Sequence, residues 1–122
     1  MRRYHHYSVP IEEAMEGEVY HEAISLYVVS YWKNPYSIEY FRFDPSYKEN
    51  PKVKHHPDII SEVPHIAFIV DDLELEIKGK EIIYGPNIPI DNWKVCFIRE
   101  NGVLVELIET TLSDEQIREM AQ

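Results

Sequence analysis

His65 opens an apolar run that two aspartates close: Val63-Pro64-His65-Ile66-Ala67-Phe68-Ile69-Val70-Asp71-Asp72. An imidazole at the mouth of a hydrocarbon strand needs a polar partner, because burying a polar group without one is costly. Glu106 poses the same problem with the opposite charge. It stands in Val103-Leu104-Val105-Glu106-Leu107-Ile108, on the face that also carries Leu104 and Ile108. A lone carboxylate buried there would cost several kcal/mol. The preceding Asn101-Gly102 pair fixes the register by its turn, so Glu106 cannot slide to the other face. A second histidine and glutamate repeat the theme more weakly. His6 lies in the opening segment, and Glu39 shares a face with Ser37, Phe41 and Phe43. Two imidazoles and two carboxylates, each on a strand, could converge on one divalent cation. Such N and O donors suit Ni²⁺, Co²⁺, Fe²⁺, Mn²⁺ or Zn²⁺, with positions left for water or substrate. In the metal-free alternative, His65 caps a strand end and Glu106 meets a lysine or arginine.

The elements that must position these residues follow from pattern and punctuation. Tyr4 to Val9 reads as a short strand ended by Pro10, which cannot donate to a ladder. Ile11 to Gly17 is acidic and long enough for one helical turn stopped by Gly17. Ile24 to Trp32 is β-branched and aromatic and predicts one strand; after the Lys33-Asn34-Pro35 turn, Ser37 to Phe43 predicts the returning strand. Pro45 to Pro64, with its prolines and the His55-His56 pair, reads as a linker. His65 to Val70 is apolar on both faces and predicts a buried strand. Asp71-Asp72 then caps a helix from Leu73 to about Gly79 or Lys80. Glu81 to Tyr84 is a further strand, broken by Gly85-Pro86-Asn87. Trp93 to Arg99 and Val103 to Ile108 form a hairpin about Asn101-Gly102, where both residues tolerate positive φ. Ser113-Asp114-Glu115-Gln116 is a capping box for a C-terminal helix over about 113–121. Each half thus starts with a histidine strand and ends with a glutamate strand, which is a weak internal repeat.

Composition bounds the function. The 122 residues suit one domain with a real core, and a formal charge of −10 disfavours nucleic acid and anionic membranes. A single cysteine, Cys96, excludes an internal disulfide and fits a reducing compartment. Neither a signal peptide nor a membrane-spanning run is evident, so the cytoplasm is expected.

The second half resembles the glyoxalase/bleomycin-resistance/dioxygenase superfamily, the vicinal oxygen chelate fold. Residues 63–73 and 95–109 carry the likeness: histidine strand, Asp-Asp helix start, Asn-Gly hairpin and glutamate strand come in the family's order. His6-Tyr7-Ser8-Val9 and Ser37-Ile38-Glu39-Tyr40-Phe41 are similar to the family's opening and fourth strands. The resemblance implies an α+β fold, two βαβββ modules forming a cupped mixed sheet around a metal. Module one would span about 4–45, a linker about 46–62 and module two about 63–109. Carried over residue by residue, it places His6, Glu39, His65 and Glu106 on the four metal-ligand positions. It prefers His6 to His5, whose side chain alternation would turn outward. The first module's helix is shortened or missing, and no basic set matches glutathione-carboxylate binding, so lactoylglutathione is not implied.

Two functions follow from the resemblance. One is a divalent-metal-dependent lyase, isomerase or epimerase that chelates vicinal oxygens of a small carbonyl substrate, with Glu39 or Glu106 as general base. A dioxygenase variant would use only His6, His65 and Glu106. The other is a metal-free protein that sequesters a small ligand in an aromatic cup. Tyr27, Tyr31, Tyr40 and Trp93 are its candidate lining. A homodimer is expected in either case, because uncovered sheet edges need partners. Arg42 and Arg99 are expected to pair with surface acids, Cys96 to be a small core residue, His21 to lie at the surface and His55-His56 to be solvated.

Overall fold

The strands form where β-branched and aromatic residues cluster between turn residues. The computed structural model describes residues 2–49 and 56–120. Among these lie β1 (Arg2–Pro10), β2 (Val19–His21), β3 (Leu26–Val29), β4 (Ile38–Phe43), α1 (Ile59–Glu62), β5 (His65–Val70), α2 (Leu73–Ile77), β6 (Glu81–Ile90), β7 (Trp93–Glu100), β8 (Val103–Glu109) and α3 (Asp114–Met120). The strands are hydrogen-bonded in one sheet, in the order β2-β3-β4-β1-β5-β8-β7-β6. The protein is therefore α+β, with a mixed and mostly antiparallel sheet. Among the described residues no helix is long and apolar enough to cross a membrane. The chain divides into two compact units, Met1–His5 with His65–Gln122, and His6–Pro64. The division falls within β1.

In the first of these units β5 pairs in parallel with β8, and β7 runs antiparallel to both β8 and β6. The β7–β8 turn is as the sequence predicts, with Asn101 at φ 53° and Gly102 at φ 76°. One sheet face packs against α2. Val70, Leu73, Cys96, Ile98, Val105 and Leu107 form that core. Two polar contacts dock the helix start: Asp72 Oδ1 accepts from the Leu75 amide at 3.2 Å, and Glu109 Oε1 accepts from the Leu73 amide at 2.8 Å. The capping box of α3 forms in both directions, with Gln116 N donating to Ser113 Oγ and Ser113 N to Gln116 Oε1. β6 does not end at Gly85-Pro86-Asn87. It continues to Ile90 through shifts of register against β7. Gly85 takes φ 102°, open to glycine, and Pro86 needs no ladder partner because β6 is the last strand of the sheet.

In the other unit β1 pairs in parallel with β4, and β3 runs antiparallel to β4 and β2. The predicted helical turn over Ile11 to Gly17 is absent; the chain bends and turns there, and Gly17 closes the turn at φ 88°. Glu12, Glu13 and Glu16 repel one another, and one isolated turn has too few hydrogen bonds to offset its nucleation cost. The single strand predicted for Ile24 to Trp32 is also corrected. Ser25 adopts the left-handed conformation at φ 51°, and 3₁₀ turns flank β3 at Glu22–Ile24 and Tyr31–Lys33. The short β2 is additional. The stretch read as a linker contains a 3₁₀ turn at Tyr47–Glu49 and α1. Tyr47 is buried, packs at a tilt on Phe43 with ring centroids 4.8 Å apart and shares a 2.8 Å hydrogen bond with His56 Nδ1. His56 is thus held by an aromatic cluster rather than solvated, while His55 lies outside the described residues.

Candidate metal centre

β5 and β8 set two of the predicted ligands side by side. In their parallel register Ala67 lies opposite Glu106. His65 is two residues before Ala67, so all three share a face. His65 Nε2 lies 3.2 Å from Glu106 Oε1, with side-chain exposures of 7% and 14%. Phe97 is opposite Glu106 in the β7–β8 register and stands edge-on to the His65 ring at 5.1 Å. The polar pair therefore sits among Ala67, Phe97, Leu104 and Ile108, all buried.

His6 completes a group of three. It follows His5 directly along β1. One potential donor atom each from His6, His65 and Glu106 lies within 4.8 Å of the others. His6 is 5% exposed, and its ring stacks on Tyr31 at 5.9 Å and an interplanar angle of 20°. Two imidazole nitrogens and one carboxylate oxygen in that span fit a divalent transition metal.

Glu39 stands outside this group of three and is held differently. Its register partner on β1 is Ser8, and the fully buried Ser8 Oγ donates to Glu39 Oε1 at 3.2 Å. His6 is two residues before Ser8, on the same strand face. The weak repeat of the sequence is thus a repeat of register: histidine, then two residues later the residue opposite a glutamate, once on β1–β4 and once on β5–β8.

His5 corrects the expectation that alternation turns it outward. It is 7% exposed, and its ring stands 6.2 Å from Trp93, edge to face. It does face away from His6, but that face is also covered. Ser8 and Phe97 escaped the sequence reading. The sequence signal for Ser8 is its place two residues after His6, on the same strand face.

The other singled-out residues have these contacts. Arg42 makes a bidentate pair with Glu18 at 2.7 and 3.0 Å and lies 3.9 Å from the Tyr27 ring centroid. Hydrogen bonding to Arg42 holds the Glu18 carboxyl below its ordinary range. Arg99 pairs with Glu81 at 3.3 Å. Cys96 is fully buried, and burial pushes its thiol pKa up, away from nucleophilic chemistry. Tyr27 packs on Tyr20 at 4.5 Å, and Tyr40 is half-buried on β4. No protein-family model and no curated protein matches the chain.

Proposed function

We propose that the protein is a divalent-metal-dependent enzyme of the vicinal oxygen chelate type, a lyase, isomerase or epimerase acting on a small carbonyl compound with adjacent oxygens. The observation that carries this reading is the gathering of His6, His65 and Glu106 donor atoms within 4.8 Å among buried residues. The element order β5–α2–β6–β7–β8 agrees with a βαβββ module, and the first half follows the same strand order without its α-helix. His6, His65 and Glu106 would hold the ion, with Glu39 as a fourth donor. A bound ion would supply Lewis acidity to two substrate oxygens. The chain's own part is positional and protonic. Tyr31 and Phe97 fix the two imidazole planes, and the buried strand faces exclude bulk water. A glutamate carboxylate in that setting can take a proton from the substrate carbon.

The test is metal content by mass spectrometry on untagged protein, followed by titration of the stripped form with Ni²⁺, Co²⁺ and Zn²⁺. About one transition metal per chain is expected, lost in His65→Ala and Glu106→Gln. No uptake by the unmodified chain would sink the metal reading. One observation favours the alternative of a metal-free ligand-sequestering protein: the 3.2 Å His65–Glu106 contact already gives each group a polar partner. In that case Glu106→Gln leaves stability unchanged or higher. A homodimer belongs to both readings, and sedimentation of the intact protein tests it.

A further inference from the structure

Ser8 is a fully buried serine in the middle of a strand. Its hydroxyl must find a partner, and the partner is a carboxylate, Glu39 Oε1, at 3.2 Å. That is the one side-chain hydrogen bond of Glu39 among the described residues, and no lysine or arginine neutralises it there. The corresponding position in the other half is Ala67, opposite Glu106. A methyl group cannot donate, and Glu106 meets His65 Nε2 instead. The two glutamates occupy equivalent register positions yet are held by different means.

We infer that Ser8 is a positioning residue for Glu39: its hydroxyl occupies Oε1 and fixes the carboxylate rotamer, leaving Oε2 as the donor offered to a divalent ion. The inference rests on the metal-centre reading. Ser8 lies between His6 and Glu39 on one face of the β1–β4 pair, so the serine links one imidazole donor to one carboxylate donor through backbone register alone. Hydrogen bonds to a ligating carboxylate are worth about 10–100-fold in metal affinity.

The experiment is Co²⁺ titration of the stripped full chain, followed by visible d–d absorption and by chelator competition, with circular dichroism to confirm folding. Ser8→Ala is expected to weaken Co²⁺ binding by about 10–100-fold and to alter the band shape. Ser8→Thr keeps the hydroxyl and is expected to restore most of the affinity. In a Glu39→Gln background, already weakened, Ser8→Ala is expected to add nothing. Wild-type affinity in Ser8→Ala, or the same loss with and without Glu39→Gln, overturns the role. If His65→Ala abolishes binding while Ser8→Ala does not, the centre stands and the Ser8 role falls. If the unmodified chain takes up no Co²⁺, both fall.

Discussion

The two halves share a strand plan and differ in what connects its first two strands. In the second half the crossover from β5 to β6 contains α2, and Leu73 is fully buried against Cys96, Ile98 and Leu107. In the first half the crossover from β1 to β2 holds no helix, and residues 12–16 are exposed. Both halves nevertheless keep the parallel pairing, β1 with β4 and β5 with β8, and both place a glutamate opposite the residue two beyond a histidine. The difference teaches that register, not the helix, preserves the placement of histidine and glutamate in each half. Strand pairing fixes which side chains share a face. The helix adds apolar burial to one half only.

The largest expected effect tests that division. Leu73→Ala should destabilise the protein by about 2–5 kcal/mol, because a fully buried leucine leaves a cavity. Met15, its nearest counterpart in the first crossover, is 38% exposed, and Met15→Ala should stay within about 0.5 kcal/mol. Urea unfolding of both variants checks this. Equal losses would mean that the first crossover packs as a helix would, and the contrast between halves would break.

A pair of glycines sharpens the contrast between regular and irregular strands. Gly85 has φ 102°, and a Cβ there would stand 2.8 Å from the Val95 carbonyl oxygen. Gly85→Ala therefore adds a backbone clash to conformational strain, and a loss of about 2–4 kcal/mol is expected. Gly102 has φ 76° but open space around its Cβ position. Gly102→Ala carries strain alone, about 1 kcal/mol. Thermal melts that ranked the two alike would show that β6 can yield at its bulge.

Much of this was readable in the sequence, and the gaps have physical causes. The second half was legible because its signals are local and agree: Asp72 caps, Asn101-Gly102 turns, and apolar alternation runs on both sides. Residues His65 and Glu106 were legible because each contradicts its own strand. The first half was harder. Ile24 to Trp32 has the composition of one strand, but Ser25 turns left-handed and Ser30 precedes a 3₁₀ turn, and neither serine announces this. Gly85-Pro86-Asn87 reads as a strand end in the sequence because proline's cost depends on edge position, which is a tertiary property. The outward placement expected for His5 fails for a related reason. Alternation says which residues face apart, and it cannot say that both faces are covered.

The smallest expected effect compares the arginine clamps of the two units. Arg2 bonds Glu76 at 3.0 Å and Glu100 at 2.7 Å, and Lys80 reaches the same Glu100 at 2.7 Å. Arg42 in the other unit has Glu18 as its ion-pair partner, and Tyr27 lies beneath it. Two cations on one carboxylate, the Arg2 hydrogen bond first, lower the Glu100 pKa from 4.5 to about 2. A folded-state pKa below the unfolded one means the unfolded chain binds the proton more readily. The stabilisation by Glu100 is therefore complete above pH 4.5 and is lost as pH falls from 4.5 towards about 2. Arg2 and Glu100 are about a quarter exposed and Lys80 38%, so solvent screening holds the contribution to about 1 kcal/mol. Glu100→Gln should lower stability by that amount at neutral pH and match the unmodified chain near pH 2. Urea midpoints across that range check it, and parallel curves for the two proteins would show that Glu100 keeps its ordinary carboxylate pKa. Glu18→Gln should show the same direction of change, since its pKa is also lowered by an arginine. A larger acid-sensitive loss there than at Glu100 would mean that the single arginine stacked on Tyr27 holds its carboxylate more strongly than two cations do.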